Sequence, residues 1–426
     1  MRIALAVILG NAVAFLSKFL NIGGGSAAPG LYALKIEPDL VKKLASKIPK
    51  NIVITGTNGK TTTAGMLAHF AKASGLKVIR NHTGSNLERG IASTLVKVTP
   101  LSRCNLGIWE LDEAAFNTVS PKIKPDIVVF LNVFRDQLDR YGEVDTVVKN
   151  WSKTLTTLKS QTIVLVNGDD ANTIKLKSAF KGKVYQFGVR DYKILGEAIF
   201  HQKEQENLDF EAKNVRLKGL SGSSFELTIN DTRYTINLPL PGIYHIYDFL
   251  AAFGAGLNLG FDAKIMVSSL KDFSPAFGRV EKLPFGYIFL IKNPAGSTQV
   301  FQTIAPHIKS HDRLLLALND NLADGTDVSW IWDANFEILQ NSSRAKSRDH
   351  TIYVSGIRAY DLANRLKYAG FDAKNIKVEP SLERALKQAK VGLKGRLFIL
   401  PTYTAMLQLQ RILAKMGVKK HYWEEA

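Results

Sequence analysis

The sequence is poor in cysteine, with Cys104 as the single example among 426 residues. One thiol excludes a disulfide framework or a cysteine zinc site within this chain, so no zinc is expected, and it suits a reducing cytoplasm. Acidic side chains are also few, with 38 Asp and Glu against 56 Lys and Arg. The net charge of +18 favours anionic partners such as nucleic acid, anionic lipid or phosphorylated substrates, without distinguishing among them.

A long uninterrupted hydrophobic run is missing as well. Residues 2–22 are mostly apolar, but Asn11 and Lys18 interrupt them and no clear cleavage site follows. A secretory signal or a membrane span is therefore disfavoured. Large apolar residues recur at helical spacing, at Leu5, Leu9, Val13, Leu16 and Leu20. This pattern predicts a helix that packs on the body of the protein or lies on a membrane surface.

What the sequence does have is an alternation of apolar strands and helices. After a Gly-rich linker, strands are predicted at 51–55, 77–80, 106–111, 126–133 and 162–167. Helical stretches between them predict a doubly wound α/β sheet with buried parallel strands. Residues 191–240 differ, because two alternating segments flank Asp231 and predict a small antiparallel β insert.

A second α/β unit, expected to be Rossmann-like, begins after this insert. Its strands are predicted at 287–292, 313–318, 351–356 and 397–401. We therefore expect three parts: an N-terminal helix and linker at 1–45, a central domain at 46–280 and a C-terminal α/β domain at 281–426.

The segment 54–63, ITGTNGKTTT, predicts a phosphate-binding loop. A strand ends at Thr55, a Gly-rich turn follows, and a helix starts at Lys60, so backbone N–H groups and the helix N-terminus face one concave surface. Lys60 can reach the β- and γ-phosphates, and the Thr61 hydroxyl can ligate Mg²⁺. The motif is shorter than G-x-x-x-x-G-K-[ST], because Ile54 stands where that pattern has its first glycine.

Acids or amides follow three of the predicted strands. Glu110 ends one strand, where a carboxylate can hold Mg²⁺ or can be an ordinary strand-end acid. Residues 132–143 and 167–170 follow two others, and residues 319–333 form an acidic loop with two tryptophans. The acids of that loop are Asp320, Asp324, Asp327 and Asp333. The sequence leaves open whether residues 319–333 form an ordinary loop or a functional one.

The motifs resemble those of the Mur ligases and folylpolyglutamate synthases. GTNGKT at 56–61 looks like their ATP loop, Glu110 like their Mg²⁺ glutamate, and 132–143 like their N-x-x-x-D-H-x-D-R segment, with Gln137 in place of His. VLVNGDD at 164–170 and Gly278-Arg279 also fit. Four further stretches, at 23–30, 292–296, 318–337 and 400–406, resemble the MurT family, the synthetase subunits of lipid II isoglutaminyl synthase, over nearly the whole chain.

The resemblance implies a set of site residues. The implied ATP contacts are Gly56, Thr57, Asn58, Gly59, Lys60, Thr61, Thr62, Asn132, His245, Asp248 and Arg279. Thr61 and Glu110 would bind Mg²⁺, Lys60 and Glu110 would be catalytic, and Asp327 would complete the Cys-His triad of a partner. Two departures are the missing four-cysteine zinc ribbon, and His245 and Asp248 where the family has asparagines near the adenine.

The resemblance also implies the reaction. ATP would phosphorylate the D-glutamate α-carboxylate of the lipid II stem peptide, and ammonia from a GatD-like class I glutamine amidotransferase would convert it to D-isoglutamine. The chain would be cytoplasmic, with peripheral contact at the inner face of the membrane. One alternative is a Mur- or folylpolyglutamate-type ligase that adds an amino acid. Another is a basic nucleotide-switch protein that binds nucleic acid or membrane, which the lack of a nucleic-acid motif disfavours.

Overall fold

The computed structural model of the protein describes residues 1–19, 27–81, 85–98, 104–134, 144–190, 208–229, 231–274, 280–340 and 351–419. Its first sheet has nine strands in the order β2-β3-β1-β4-β5-β6-β7-β8-β9. In chain order these are β1 Lys50–Thr55, β2 Val78–Arg80, β3 Leu106–Leu111, β4 Ile127–Phe130, β5 Ile163–Asn167, β6 Lys183–Val189, β7 Phe210–Leu217, β8 Ser223–Ile229 and β9 Thr232–Leu238.

Strands β1 to β7 of this sheet pair in parallel, whereas β8 and β9 are antiparallel. The helices with this sheet are α1 Arg2–Phe19, α2 Ala28–Ile36, α3 Leu40–Ala45, α4 Lys60–Ala73, α5 Glu88–Val98, α6 Ala115–Ile123, α7 Val144–Leu155, α8 Tyr244–Asn258 and α9 Ala263–Ser269. The α/β class predicted from the sequence is confirmed. The predicted antiparallel segment continues the edge of the main sheet, and its residues 191–207 lie outside the described residues.

Burial on both faces explains the apolar strand sequences. Ile52 and Ile54 of β1 pack into one core cluster, which also holds Phe70 of α4 and Phe249 of α8. Val53, between them, points into the cluster on the other face. Alternate residues therefore serve opposite cores, and such a strand has no polar face to display.

The second sheet has six strands in the order β10-β11-β15-β12-β13-β14, with β10 and β11 antiparallel and the other pairs parallel. Its strands are β10 Glu281–Leu283, β11 Gly286–Ile288, β12 Arg313–Ala317, β13 Ile352–Ser355, β14 Ile376–Val378 and β15 Leu397–Pro401. Its helices are α10 Pro294–Ile304, α11 Glu337–Gln340, α12 Ala359–Tyr368, α13 Leu382–Lys390 and α14 Tyr403–Lys415. The chain passes from one sheet to the other between Leu238 and Glu281.

The predicted N-terminal helix is present as α1, and it packs through small residues. Ala6 and Val7 are buried, and a Cβ on Gly10 would lie 2.8 Å from a Val96 methyl of α5. Leu5 and Leu16, two of the periodic leucines, are more than half exposed. Among helices of the described residues, none has both the length and the apolarity to traverse a bilayer.

Candidate active site

The turn between β1 and α4 is built on two glycines with positive φ, Gly56 at 139° and Gly59 at 89°. A Cβ on Gly56 would lie 3.0 Å from the backbone N and O of Asn132, so a side chain there would collide with the neighbouring strand end. The helix α4 begins directly after the turn, at Lys60, and its N-terminal N–H groups face it. This is the arrangement of strand, glycine turn and helix that binds phosphate.

Asn132 fixes the conformation of this turn. Its side chain accepts the Asn58 N–H at 2.8 Å and donates to the Asn58 carbonyl at 3.1 Å. Its backbone carbonyl accepts the Thr57 N–H at 3.0 Å. Thr55 of β1 lies opposite Phe130 of β4, which brings the residue two positions further along beside the turn. The structure thus places Asn132, a predicted ATP residue, in contact with the backbone of the turn.

Lys60 is folded back over the turn. The residue is 9% exposed, and its Nζ donates to the carbonyl oxygens of Gly56 and, at 3.2 Å, of Thr57. The carboxylate of Glu113 lies 3.6 Å from the same Nζ. A buried ammonium needs such a partner, because an unpaired charge is costly in a poorly hydrated position. From this position Lys60 can meet the phosphates of a nucleotide held by the turn.

Thr61 and Glu110 meet at the mouth of the turn. The Thr61 hydroxyl donates to Glu110 Oε2 at 2.7 Å, and Glu110 is 6% exposed at the carboxyl end of β3. Asn81 holds the backbone of Glu110 by two hydrogen bonds of 2.9 Å. Burial lowers the pKa of nearby Arg80, and the negative charge of Glu110 opposes that shift. A hydroxyl and a carboxylate are hard oxygen donors, so this pair fits the predicted Mg²⁺ site.

His245 and Asp248 lie on the inner side of the turn. Both are buried on α8, with His245 Nδ1 3.1 Å from Asp248 Oδ2. The Thr63 hydroxyl donates to Asp248 Oδ1 at 3.3 Å, and a Cβ on Gly59 would lie 2.1 Å from the same oxygen. Asp248 therefore supports the turn from within. The role of both residues in base recognition stays a prediction.

The second sheet contributes residues that touch the turn directly. Asn293, the N-cap of α10, exchanges two side-chain hydrogen bonds with Asn58, of 3.0 and 3.3 Å. The neighbouring Lys292 donates its Nζ to the Thr57 carbonyl at 3.2 Å. The segment that carries these two residues thus meets the phosphate turn across the seam between the sheets.

Little space remains between the two sheets beside the phosphate turn. A cavity of about 30 Å³ is lined by Asn58, Gly59, Leu131, Asn132, Tyr244, Tyr247, Asp248 and Gln299. Such a cavity accommodates a molecule of about the size of water. A nucleotide base can enter it only if the two sheets move apart here.

The two acids that follow β5 make hydrogen bonds that stabilise the surrounding backbone. Asp170 accepts hydrogen bonds from three backbone N–H groups, including that of Val133 at 2.9 Å. Asp169 accepts the Val189 N–H at 2.8 Å and the Tyr247 hydroxyl at 2.7 Å. Burial raises the pKa of both carboxyl groups, and the hydrogen bonds oppose that shift. These acids brace the strand ends on which the site is built.

The acidic loop after β12 contains one buried and one exposed aspartate with different contacts. Asp324 is buried and accepts hydrogen bonds from the N–H and hydroxyl of Thr404, at the start of α14. Burial raises the pKa of Asp324. Asp327 is exposed, and Ser329 donates its N–H at 2.8 Å and its hydroxyl at 2.9 Å to the two carboxylate oxygens. One acid anchors the loop, and the other presents an oriented carboxylate to solvent.

Arg365 holds the continuation of this loop. Its guanidinium is buried and donates to the carbonyl oxygens of Ile331 and Ala334, each at 3.0 Å. It also pairs with Glu337 at 2.9 Å and lies 5.6 Å from the ring of Trp332. Large apolar side chains are exposed on this side of the second sheet. We call them the outer patch: Leu322, Trp332, Ile357, Tyr360 and Tyr368, which are 48 to 78% exposed.

Some predicted site residues cannot be placed. Arg279, with Gly278, lies outside the described residues, as do residues 135–143 after Phe134. Conversely, Asn81 and Asn293 contact the predicted site but were not predicted to belong to it. The Asn-Pro pair at 293–294 is a helix-start signal that marks Asn293. No local signal marks Asn81, whose role depends on how β2 aligns with β3.

Family models match most of this architecture. Residues 54–256 match the model described as Mur ligase middle domain, and residues 290–406 match the one described as MurT ligase C-terminal. The first match contains the phosphate turn, and the second contains Asn293 and Asp327.

Curated relatives match along nearly the whole length. The chain is 30% identical to the lipid II isoglutaminyl synthase (glutamine-hydrolyzing) subunit MurT of Streptococcus pneumoniae, over 93% of this chain and 94% of the relative. It is also 30% identical to the subunit of the same name from Staphylococcus aureus, over 90% of this chain and 91% of the relative.

Solved structures of Mur-type ligases share the fold. MurF from Acinetobacter baumannii superposes with a TM-score of 0.67 at 17% identity, over 91% of this chain and 80% of that one. Mycobacterium tuberculosis folylpolyglutamate synthase complexed with ADP superposes with a TM-score of 0.64 at 15% identity, over 88% and 92%. At such identities the likeness concerns the arrangement of the chain.

Proposed function

The chain belongs to the MurT family of Mur-type ligases, and we propose that it uses ATP to amidate the D-glutamate α-carboxylate of the lipid II stem peptide, giving D-isoglutamine. The observation that carries this proposal is the phosphate turn, with Lys60 folded over it and the Thr61–Glu110 pair at its mouth. In this reaction the carboxylate takes the terminal phosphoryl group of ATP and ADP leaves. Ammonia then attacks the acyl carbon of the acyl phosphate, and phosphate leaves as the amide forms.

The residues of the turn account for the first half of this reaction. The N–H groups of residues 59–62, at the N-terminus of α4, would hold the phosphates, because those of Thr57 and Asn58 donate to Asn132. Lys60 would stabilise the negative charge that moves onto the transferred phosphoryl group. Thr61 and Glu110 would hold Mg²⁺, which neutralises phosphate charge when bound. We assign Lys60 and Glu110 the catalytic roles, and we assign the ATP contacts to residues 56–62, Asn132, His245, Asp248 and Arg279.

The second half of the reaction needs ammonia from a partner. We propose a GatD-like class I glutamine amidotransferase that forms a complex with residues 281–426, while residues 46–280 bind ATP. Two observations support this side. Asp327 presents a carboxylate held by Ser329, which suits an acid that orients a histidine in another subunit. The outer patch offers the exposed aromatic and aliphatic side chains typical of a protein interface.

The proposed substrate also sets the location. Lipid II carries its peptide on a lipid anchor, so we place the chain in the cytoplasm at the inner face of the membrane. The net charge of +18 suits a surface of anionic lipids.

A ligase that adds an amino acid is the second candidate, and the shared Mur-type fold is the observation in its favour. The two candidates make different products from the same acyl phosphate. The test is mass spectrometry of lipid II after incubation with ATP, glutamine, this protein and the amidotransferase. A carboxamide in place of one carboxyl group is expected. A product that has gained an amino acid residue would favour the second candidate, and unchanged lipid II would refute the amidation.

A further inference from the structure

The helices α1 and α2 expose a continuous set of large apolar side chains. We call this surface the N-terminal face. Its members are Leu5, Ile8, Phe15, Leu16 and Phe19 of α1, with Leu31 and Tyr32 of α2, and each is 42 to 77% exposed. The α1 members are at positions 5, 8, 15, 16 and 19, which a period of 3.6 residues places along one side of a helix of 18 residues, roughly 27 Å long.

The large apolar residues of α1 face outward, which is the reverse of an ordinary surface helix. Its packing side carries Ala6, Val7 and Gly10, and its outward side carries the larger apolar residues. A helix that faced water would place its large apolar residues inward. The rings of Phe15 and Phe19 stack at 6.3 Å on this outward side. An exposed apolar surface of this extent marks an interaction site.

The charged residues of the segment that carries the N-terminal face indicate which kind of partner it fits. Residues 1–36 contain no aspartate or glutamate, and the first acid is Glu37. The same stretch contains Arg2, Lys18 and Lys35. Lys35 Nζ lies 5.4 Å from the centroid of the Tyr32 ring, which places a cation beside the apolar side chains. Apolar side chains on a segment whose charged residues are all basic match a bilayer with anionic headgroups.

The helix that carries the N-terminal face is connected to the phosphate site through α5. α1 contacts α5 at Val96, where Asn11 donates to the Val96 carbonyl at 3.4 Å. The opposite end of α5, at Glu88, is roughly 12 Å away along the helix axis. There the Asn86 carbonyl accepts the N–H of Asp112, two residues beyond Glu110. The helix α5 thus connects α1 with the strand end that carries Glu110.

We propose that the N-terminal face docks on the surface of an anionic phospholipid bilayer, with α1 in the plane of the interface. The inference rests on the proposed function only in that a lipid-anchored substrate gives the docking its purpose. The observations themselves are the outward apolar side chains, the absence of acids from residues 1–36 and the contact of α1 with α5.

The test is flotation of the full-length protein with vesicles. We expect it to float with phosphatidylglycerol–phosphatidylcholine vesicles and to do so less with phosphatidylcholine alone. The double variant Ile8→Ser with Phe15→Ser should lower the partition coefficient by at least about tenfold, because two exposed apolar side chains are lost. The matched control is Leu217→Ser with Val391→Ser, which removes two exposed apolar side chains elsewhere and should change nothing.

Two results would overturn the docking proposal. One is equal flotation of the double variant and the wild type. The other is a lipid-free dimer of the wild type that the double variant abolishes in light scattering, which would make the N-terminal face a contact between copies. Amidation of a short-chain, water-soluble lipid II analogue separates this proposal from the proposed function. The double variant should retain that activity, whereas an unamidated analogue with wild-type protein would refute the function and leave the flotation result standing.

Discussion

Substitution of Gly59 by alanine tests whether the phosphate turn has the conformation described. Gly59 has a φ of 89°, and a Cβ there would lie 2.1 Å from Asp248 Oδ1. Gly75, at the other end of α4, has a φ of 81°, and a Cβ there would have nothing within 4 Å. The two glycines share one backbone strain and differ in the collision, so Gly75→Ala is a matched control.

The expected losses in free energy of unfolding follow from the backbone strain and from the collision. Either alanine should lower the free energy of unfolding by about 1–2 kcal/mol, because a left-handed backbone conformation is strained for a residue with a Cβ. Gly59→Ala must also displace Asp248, which is buried and bonded to Thr63 and His245. Loss of those hydrogen bonds should cost a further ~1–3 kcal/mol.

The assay is urea-induced unfolding, combined with calorimetric titration of ATP. Gly59→Ala should weaken ATP binding by at least about tenfold, because the N–H groups of the turn move with it, whereas Gly75→Ala should bind normally. Combining Gly59→Ala with Asp248→Ala should show a coupling energy of about 1–3 kcal/mol, since the collision partner is gone. Equal destabilisation by the two alanines, or a coupling energy near zero, would refute the described contact between the turn and α8.

The remaining predictions concern the reaction. Lys60→Ala should lower kcat by roughly 100- to 1,000-fold, since the phosphoryl charge loses its ammonium, and near-normal turnover would contradict the role given to Lys60. Glu110→Gln should raise the Mg²⁺ concentration needed for half-maximal activity, whereas Asp170→Asn should instead destabilise the fold by ~1–3 kcal/mol through its backbone N–H partners. Asp327→Asn should suppress glutamine hydrolysis by the assembled complex yet spare amidation from added ammonia, with Asp333→Asn as the control; survival of both activities would leave Asp327 a loop residue. Elemental analysis of the pure protein should find no stoichiometric zinc.

The elements that the sequence predicts best are those whose burial is complete. The strand predicted at 397–401 is observed as Leu397–Pro401, and all five of its residues are buried. The Gly-rich turn before Lys60 and Gly75 after Ser74 predict a helix over 60–74, and the helix is observed as Lys60–Ala73. An unbroken apolar run and glycines at the ends of a helix are local properties of the sequence, so they can be recognised without knowledge of the fold.

The start of α8 shows where such signals fail. The segment DFLAAFGAGLNLG predicts a helix over 248–260, and the observed helix begins earlier, at Tyr244. Its N-cap is Ile243, which makes no side-chain capping hydrogen bond. Without Ser, Thr, Asp or Asn at that position, no start signal exists in the sequence. Packing of the following residues into the core decides where the helix begins.

The residues of the candidate site also fall into two groups, those that a local sequence signal marks and those that only the fold brings together. Lys60, Thr61 and Glu110 were predicted because a motif or a strand end marks each of them. Asn81 could not be predicted, because its contact with Glu110 requires β2 and β3 to pair in one particular register. The mutual hydrogen bonds of Asn58 and Asn293 join positions 235 residues apart, and they exist only once the second sheet has docked.

That docking places Lys292 and Asn293 of the second sheet in contact with the phosphate turn. Lys60 and Lys292, one from each side of the seam, both donate to the Thr57 carbonyl at 3.2 Å. A hydrogen bond from an ammonium to a phosphate is stronger than one to a neutral carbonyl, so a phosphate at the turn should attract both cations. Lys292 would then carry its segment toward the nucleotide as Asn293 releases Asn58. If a base binds beside the turn, the cavity of about 30 Å³ there has to widen, and the attraction of Lys292 to the phosphate would favour its closure afterwards.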